Sequence, residues 1–333
     1  MKQALCALTA VAAALSFSTT ASAAKYYNCA TNSGCVASSD IRVTSSYAQT
    51  RFPIVLAHGL SGFTKVGPID YFYGVPQDLT AQGSQVYVTL ASSVNSSGEV
   101  RGEQLLAQVR NIVAITGKGK VNLIGHSQGG LDSRYVAGVA PSLVASITSV
   151  GTPHKGSKVA DIALKVLKGE PTGLLQSAAN ALVSGVGQLI TGVSGGGSSN
   201  QSLSGSLTTL STAGAASFNQ RFPAGVPTTA CGTGATQSQS GIKFYSWGGT
   251  SPLTNVLDPL ELVFTASSVG FFGEASDGVV GRCSNRFGVV IRDNYGMNHG
   301  DLINQVFGLT NLFETDPKSV YRQQANRLKN ASL

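Results

Sequence analysis

Gly125-His126-Ser127-Gln128-Gly129 directly follows the apolar run from Val121 and opens a segment of helical pattern. A G-x-S-x-G run in a strand-turn-helix frame is a nucleophile elbow: the serine sits in a strained turn, and flanking glycines remove side chains that would collide there. A serine hydroxyl is a poor nucleophile near neutral pH, so it needs a base within hydrogen-bond reach and an acid to orient that base. The chemistry such a set performs is acyl transfer.

The chain has four histidines, His58, His126, His154 and His299. Behind an elbow of this kind the acid and then the base follow the serine along the chain. His58 and His126 precede Ser127 or adjoin it on the wrong side, and only Asp132 lies between Ser127 and His154. His299 is therefore the candidate base, and the other three read as hydrogen-bonded structural histidines. Candidates for the acid are Asp258, Glu261, Glu274, Asp277 and Asp293. Asp277-Gly278 heads the Val279-Val280 pair, a loop-tip position suited to reaching across strand ends, whereas Asp293 also reads as a turn residue. Spacing alone leaves the choice open.

Acyl transfer also needs two donors aimed at the tetrahedral oxyanion. One is the backbone N–H of Gln128, next to the nucleophile. The other should come from the loop after an early strand, and His58-Gly59-Leu60 is such a loop, with the Leu60 N–H as donor. A tight structural turn is the plainer reading of those three residues.

The elements that must hold these groups alternate. Phe52–Ala57, Gln85–Leu90, Val121–Gly125, Ala145–Val150 and Ile242–Trp247 read as buried strands. Apolar residues at Leu105, Leu106, Val109, Ile112 and Val113 fall at helical spacing before Gly117, and Leu131–Val139 reads as a second helix. Strands and helices in this alternation imply parallel βαβ units, an α/β fold whose ligands lie at the carboxyl ends of the strands. From Pro171 to Gln220 no charged residue occurs. Residues 155–225 read as a cap inserted into one domain. Within it, 173–193 carries an apolar face at Leu175, Ala178, Ala179, Leu182, Val186, Leu189, Ile190 and Val193, followed by a Gly- and Ser-rich segment around 195–206.

Met1-Lys2, the apolar run Ala4–Phe17 and Ala21-Ser22-Ala23 form a secretory leader cleaved near Ala23, too short for a membrane span. Residues 24–333 then form one domain. The net charge of +7 comes from scattered basic residues, which argues against nucleic acid as a partner. Cys6 leaves with the leader, and four cysteines in an exported chain allow three pairings. Cys29 and Cys35 lie close enough to close a small loop, leaving Cys231 with Cys283. No histidine near either pair suggests a metal site instead.

Phe52-Pro53-Ile54-Val55-Leu56-Ala57-His58-Gly59, Val100-Arg101-Gly102-Glu103-Gln104-Leu105-Leu106 and Asn122-Leu123-Ile124-Gly125-His126-Ser127 form one set of motifs. It continues in Gly151-Thr152-Pro153-His154-Lys155-Gly156-Ser157, Asp277-Gly278-Val279-Val280 and Ala325-Asn326-Arg327-Leu328-Lys329. In these motifs, and across nearly the whole mature chain, the sequence resembles the bacterial true lipases of the Pseudomonas and Burkholderia type. The resemblance implies an α/β-hydrolase fold, triacylglycerol hydrolysis and Asp277 as triad acid. It also implies a calcium ion held by the side chains of Asp258 and Asp301 and the carbonyls of Gln305 and Leu309. A membrane-anchored foldase and the type II secretion route are implied as partners in export. With it, the uncharged amphipathic segment 173–193 reads as a lid that covers Ser127 when closed and meets lipid when open.

The Cys29–Cys35 segment looks like an addition to that pattern, Gln128 stands where some relatives have His, and Gly300 and Leu302 flank Asp301 where related sequences differ. A carboxylesterase or polyester hydrolase would use the same residues. A non-catalytic binding protein on the same fold is the alternative of another class.

Overall fold

The strand at Ile54–Ala57 has all four residues buried, yet they serve two different cores, because successive side chains in a strand point to opposite faces. Ile54 and Leu56 join Val86, Val88, Ile124 and Trp247 on one face, while Val55 and Ala57 join Tyr87, Leu123, Ile147 and Phe244 on the other. A sheet packed on both faces needs near-continuous apolar strands, and that is what the runs supply. The computed structural model describes residues 22–30, 34–60, 62–66, 69–91, 97–173, 180 and 201–333.

The central sheet has eight strands: β1 (Tyr27–Ala30), β2 (Gly34–Ala37), β3 (Ile54–Ala57), β4 (Val86–Thr89), β5 (Val121–His126), β6 (Val144–Val150), β7 (Lys243–Gly249) and β8 (Val289–Tyr295). Their order in space is β8-β7-β6-β5-β3-β4-β1-β2. Every neighbouring pair is parallel except the β1–β2 hairpin. The described α-helices are α1 (Val75–Ala81), α2 (Gly98–Thr116), α3 (Gln128–Val139), α4 (Lys158–Leu167), α5 (Gln201–Leu210), α6 (Thr212–Arg221), α7 (Glu261–Ser268) and α8 (Pro317–Asn330). Leu79 of α1 and Tyr321 of α8 pack on the Ile54 face; Leu105, Val109 and Ile112 of α2 and Val136 of α3 pack on the Val55 face. This is the parallel α/β architecture expected from the alternation.

Several elements run longer than their apolar cores. Helix α2 starts at a Ser97 cap and ends where Gly117 adopts a φ of 64°, so it extends beyond the Leu105–Val113 face on both sides. Strand β8 has no counterpart in the sequence reading, since Arg292 and Asp293 interrupt its apolar pattern. As the last strand it leaves one edge open, and its charged side chains are paired, Arg292 with Glu314 and Asp293 with Arg282.

The expected cap region contains α4, α5 and α6, which share an apolar cluster of Val159, Ala163, Leu207, Leu210 and Phe218 with Leu131 of α3. The end of the Gly- and Ser-rich segment is helical, since α5 begins at Gln201. Leu207 and Leu210, three residues apart, supply the buried face that draws it into a helix. Apart from Gly173 and Asn180, the expected lid helix 173–193 lies outside the described residues, as does the leader up to residue 21.

Cys29 stands directly opposite Cys35 across the hairpin and is bonded to it. Cys231 is bonded to Cys283, 52 residues away. Peptide mapping without reduction should recover both linked pairs and no free thiol at these positions. Removing the second bond should cost up to about 4 kcal/mol on the chain-entropy estimate for a loop of that length.

Candidate active site

Ser127 occupies the turn between β5 and α3 with φ 55° and ψ −125°, a conformation a non-glycine residue holds only when its surroundings force it. The forcing comes from both sides. Behind the serine, a side chain at Gly129 would run into the Ala57 carbonyl, and one at Gly125 into the Gly129 carbonyl, so the helix start packs directly on the strands.

Val150 pairs with His126 across the β5–β6 ladder, and the Ser127 N–H continues that ladder to the Val150 carbonyl at 2.8 Å. Gly151 therefore lies beside Ser127 at the carboxyl end of the sheet. It has a φ of +54°, and a Cβ there would sit 3.2 Å from Asp277 Oδ2 and 3.3 Å from His299 Nδ1. Those two atoms are 2.7 Å apart. The other carboxylate oxygen, Asp277 Oδ1, accepts the N–H groups of Val279 at 2.9 Å and Val280 at 2.7 Å. The His299 N–H returns to the Asp277 carbonyl at 2.9 Å, so the two loops are tied by backbone as well as side chain.

The remaining carboxylates are engaged elsewhere. Asp293 lies on β8 and pairs with Arg282 at 2.9 Å and Arg286 at 3.5 Å, and Glu274 pairs with Lys158 at 2.6 Å. Asp258 and Glu261 sit in a separate buried group described below.

The other histidines have structural partners. His154 stacks on Phe287 with centroids 4.6 Å apart, and its Nδ1 faces the Arg134 guanidinium at 3.2 Å. Burial and that guanidinium hold its pKa well below the usual value. His58 Nδ1 donates to the Gly59 carbonyl at 2.8 Å while its Nε2 accepts the Ala91 N–H at 3.0 Å. Burial, then the Arg101 charge, push its pKa down to about 3. His126 is likewise kept neutral by burial and by His299.

The loop expected to carry the second oxyanion donor is held from below. Arg101 of α2 donates to the His58 carbonyl at 2.9 Å and pairs with Asp132 of α3 at 2.8 Å, with both side chains almost wholly buried. Burial outweighs the guanidinium and raises Asp132 to about 6. Gly59 touches the nucleophile: a Cβ on it would lie 2.7 Å from Ser127 Cβ. Leu60 follows it, and Gln128 is the first residue of α3, where a backbone N–H has no partner within the helix.

The family model for the alpha/beta hydrolase fold matches residues 53–295, which span β3 to β8. The chain belongs to the α/β-hydrolase family. A triacylglycerol lipase of Vibrio cholerae is 52% identical to this hydrolase over 288 residues, 86% of this chain and 90% of the relative. A triacylglycerol lipase of Burkholderia plantarii is 44% identical over 317 residues, covering 85% of this chain and 87% of the relative. Within the hydrolases the chain thus groups with the triacylglycerol lipases. Among solved structures, the mature form of Bacillus licheniformis lipase BlEst2 matches with a TM-score of 0.57, over 83% of this chain and 91% of that one, at 19% identity. That likeness concerns the fold.

The hydrolase carries a second group of buried acids beside His299. Asp258, Glu261 and Asp301 are each at most 3% exposed, and each has one carboxylate oxygen without a hydrogen-bond partner: Oδ2, Oε2 and Oδ1 respectively. Asp301 is raised to about 7, by burial first and then by the charges of Glu261 and Asp258. Among the described residues no salt bridge relieves them. Three such acids without a basic partner fit a hard cation with oxygen ligands. Among the described residues no three His, Cys, Asp or Glu side chains are arranged to hold a metal by themselves, so an ion would draw on backbone oxygens. Two expected carbonyl donors, Gln305 and Leu309, lie in the loop after Asp301. Gln305 also donates its side-chain amide to the Tyr71 carbonyl at 3.1 Å, which ties this loop to the segment before α1.

Arg101 and Tyr71 carry these contacts without having been given a role from the sequence, and Glu261, a candidate triad acid, sits instead in the buried acid group. Arg101 had a signal: it precedes Leu105 by four residues, so it lies on the apolar face of α2, where an arginine needs a buried partner. Tyr71 had none, because a tyrosine between Asp70 and Phe72 reads as ordinary core.

Proposed function

We propose that this chain is a secreted triacylglycerol lipase that cleaves the carboxylic esters of lipids at the oil–water interface. The observation that carries the reading is the Asp277–His299 hydrogen bond at 2.7 Å beside the strained Ser127, in a chain this similar to triacylglycerol lipases. In this reading Ser127 Oγ attacks the ester carbonyl as His299 Nε2 takes its proton. The backbone N–H groups of Gln128 and Leu60 receive the oxyanion. Collapse of the tetrahedral intermediate returns the proton to the leaving alkoxide and leaves an acyl-serine. Water, activated by the same histidine, then releases the fatty acid. Asp277 keeps the imidazole in the tautomer whose Nε2 is free to accept.

The test is substrate form. Emulsified long-chain triacylglycerol should be hydrolysed faster than a dissolved short-chain ester. Activity confined to dissolved esters, or to polyester films, would assign the chain to the esterases or polyester hydrolases instead.

A calcium ion held by Asp258, Asp301 and the carbonyls of Gln305 and Leu309 belongs to the same proposal, supported by the unpartnered oxygens of those buried acids. Bound there, calcium would neutralise the buried charge and join the Asp258 segment to the loop behind His299. An ion at one hundred times its dissociation constant stabilises the native state by about 2.7 kcal/mol. For a domain of this size, excess calcium should raise the melting temperature by roughly 5 °C over chelator. Asp258→Ala and Asp301→Ala should abolish the difference. A wild-type melting temperature indifferent to calcium and chelator would remove the ion from the proposal.

Export by the leader, folding assisted by a membrane-anchored foldase and passage through the periplasm complete the reading. Among the described residues no helix is long and apolar enough to cross a membrane.

A further inference from the structure

Three hydrogen bonds run in series beneath Ser127. The Gly59 N–H donates to Tyr71 Oη at 3.1 Å, Tyr71 Oη lies 2.8 Å from His126 Nδ1, and His126 Nε2 lies 3.1 Å from the His299 carbonyl oxygen. With a neutral His126, the direction of every bond is fixed by the two ends. An amide N–H only donates and a carbonyl only accepts, so Tyr71 accepts from Gly59 and gives its single proton to His126 Nδ1, and His126 carries its own proton on Nε2. No donor or acceptor in the series is left over or contested. Tyr71 and His126 are both buried, which removes water as a competing partner.

The series joins three separate pieces of chain. Gly59 precedes Leu60, His126 precedes Ser127, and the last carbonyl is that of His299 itself. We propose that the Tyr71 hydroxyl and the His126 imidazole are positioning groups for ester hydrolysis, holding the oxyanion loop, the elbow and the base loop in one register. The proposal rests on the roles given above to Leu60, Ser127 and His299.

Packing alone does not call for the hydroxyl. The Tyr71 ring contacts Phe72, Phe63 and His58 at centroid distances of 5.1, 5.7 and 5.7 Å, and a phenylalanine ring would keep those contacts. Without the hydroxyl, the Gly59 N–H and His126 Nδ1 both lose their partner, and the loop before Leu60 loses its tie to the elbow. A misplacement on the 1 Å scale at such a site costs on the order of a hundredfold in rate.

Tyr71→Phe separates the two roles. Rates on a dissolved short-chain ester are referred to active sites titrated with a fluorophosphonate. The expected result is a kcat lower by about ten- to a hundredfold with KM within about twofold, and an equal loss of affinity for a boronic-acid transition-state analogue. A kcat per titrated site within about twofold of wild type would overturn the proposal, as would matched losses in KM and kcat without loss of analogue affinity. The wild-type protein gives a second test that needs no variant: nitrogen NMR of His126 should show a neutral ring protonated on Nε2. A ring protonated on Nδ1, or charged at neutral pH, breaks the series and the proposal with it. Failure of the parent reading would show separately, as wild-type protein that the fluorophosphonate does not label.

Discussion

Ser127→Ala and His299→Ala should each lower hydrolysis by about ten-thousandfold or more, and the double variant should be little worse than either, because triad members act as a unit. The fold should survive both changes. Ser127→Ala removes one oxygen from a turn whose shape is set by glycine contacts and by the backbone bond to Val150. His299→Ala leaves the backbone tie between His299 and Asp277 in place. The comparison that gives these variants meaning is His154, the other histidine downstream of the serine. Its ring stacks on Phe287 and faces Arg134, so replacing it should lower stability far more than the rate of molecules still folded. A folded His154 variant without activity, together with an active His299 variant, would move the base to His154.

Asp277→Asn should abolish most activity for a reason the local bonds make specific. Two backbone N–H groups, from Val279 and Val280, already occupy one carboxylate oxygen. In the variant they would hold the amide oxygen and turn the amide NH2 towards His299 Nδ1. The imidazole must then accept at Nδ1 and carry its proton on Nε2, the wrong tautomer for taking a proton from Ser127. In a serine protease triad the same change costs on the order of ten-thousandfold. Asp293→Asn should leave the rate within about twofold, since it only weakens the pairs of the buried Asp293 with Arg282 and Arg286, away from His299. The opposite ranking of the two variants would transfer the acid to Asp293.

What the sequence makes legible here follows from how local each feature is. The elbow is legible because strand, turn and helix are contiguous, and the continuous apolar run at Ile54–Ala57 and the helical spacing of Leu105–Val113 are contained in single segments. Strand β8 is not, because an edge strand tolerates Arg292 and Asp293 in its middle. The hairpin at Cys29–Cys35 reads only as a small loop. Its pairing with β4 through Tyr27 and Tyr87, 60 positions apart, leaves no local mark. The candidate base follows from the order of four histidines, whereas the acid stays open among five carboxylates until the family resemblance favours Asp277. The contact that separates Asp277 from Asp293 is made by two loops 22 residues apart. Arg101 and Tyr71 illustrate the remaining limit: their roles depend on which carbonyl or hydroxyl meets them across the fold.

The most direct measurement is mass spectrometry of the exported protein after reaction with a long-chain fluorophosphonate, run beside lipase activity on emulsified triacylglycerol. One adduct per chain, on the peptide carrying Ser127, with activity lost in proportion to labelling, is the expected result. An adduct on any other residue, or full lipase activity after complete labelling of Ser127, would contradict the assignment of Ser127 as the nucleophile.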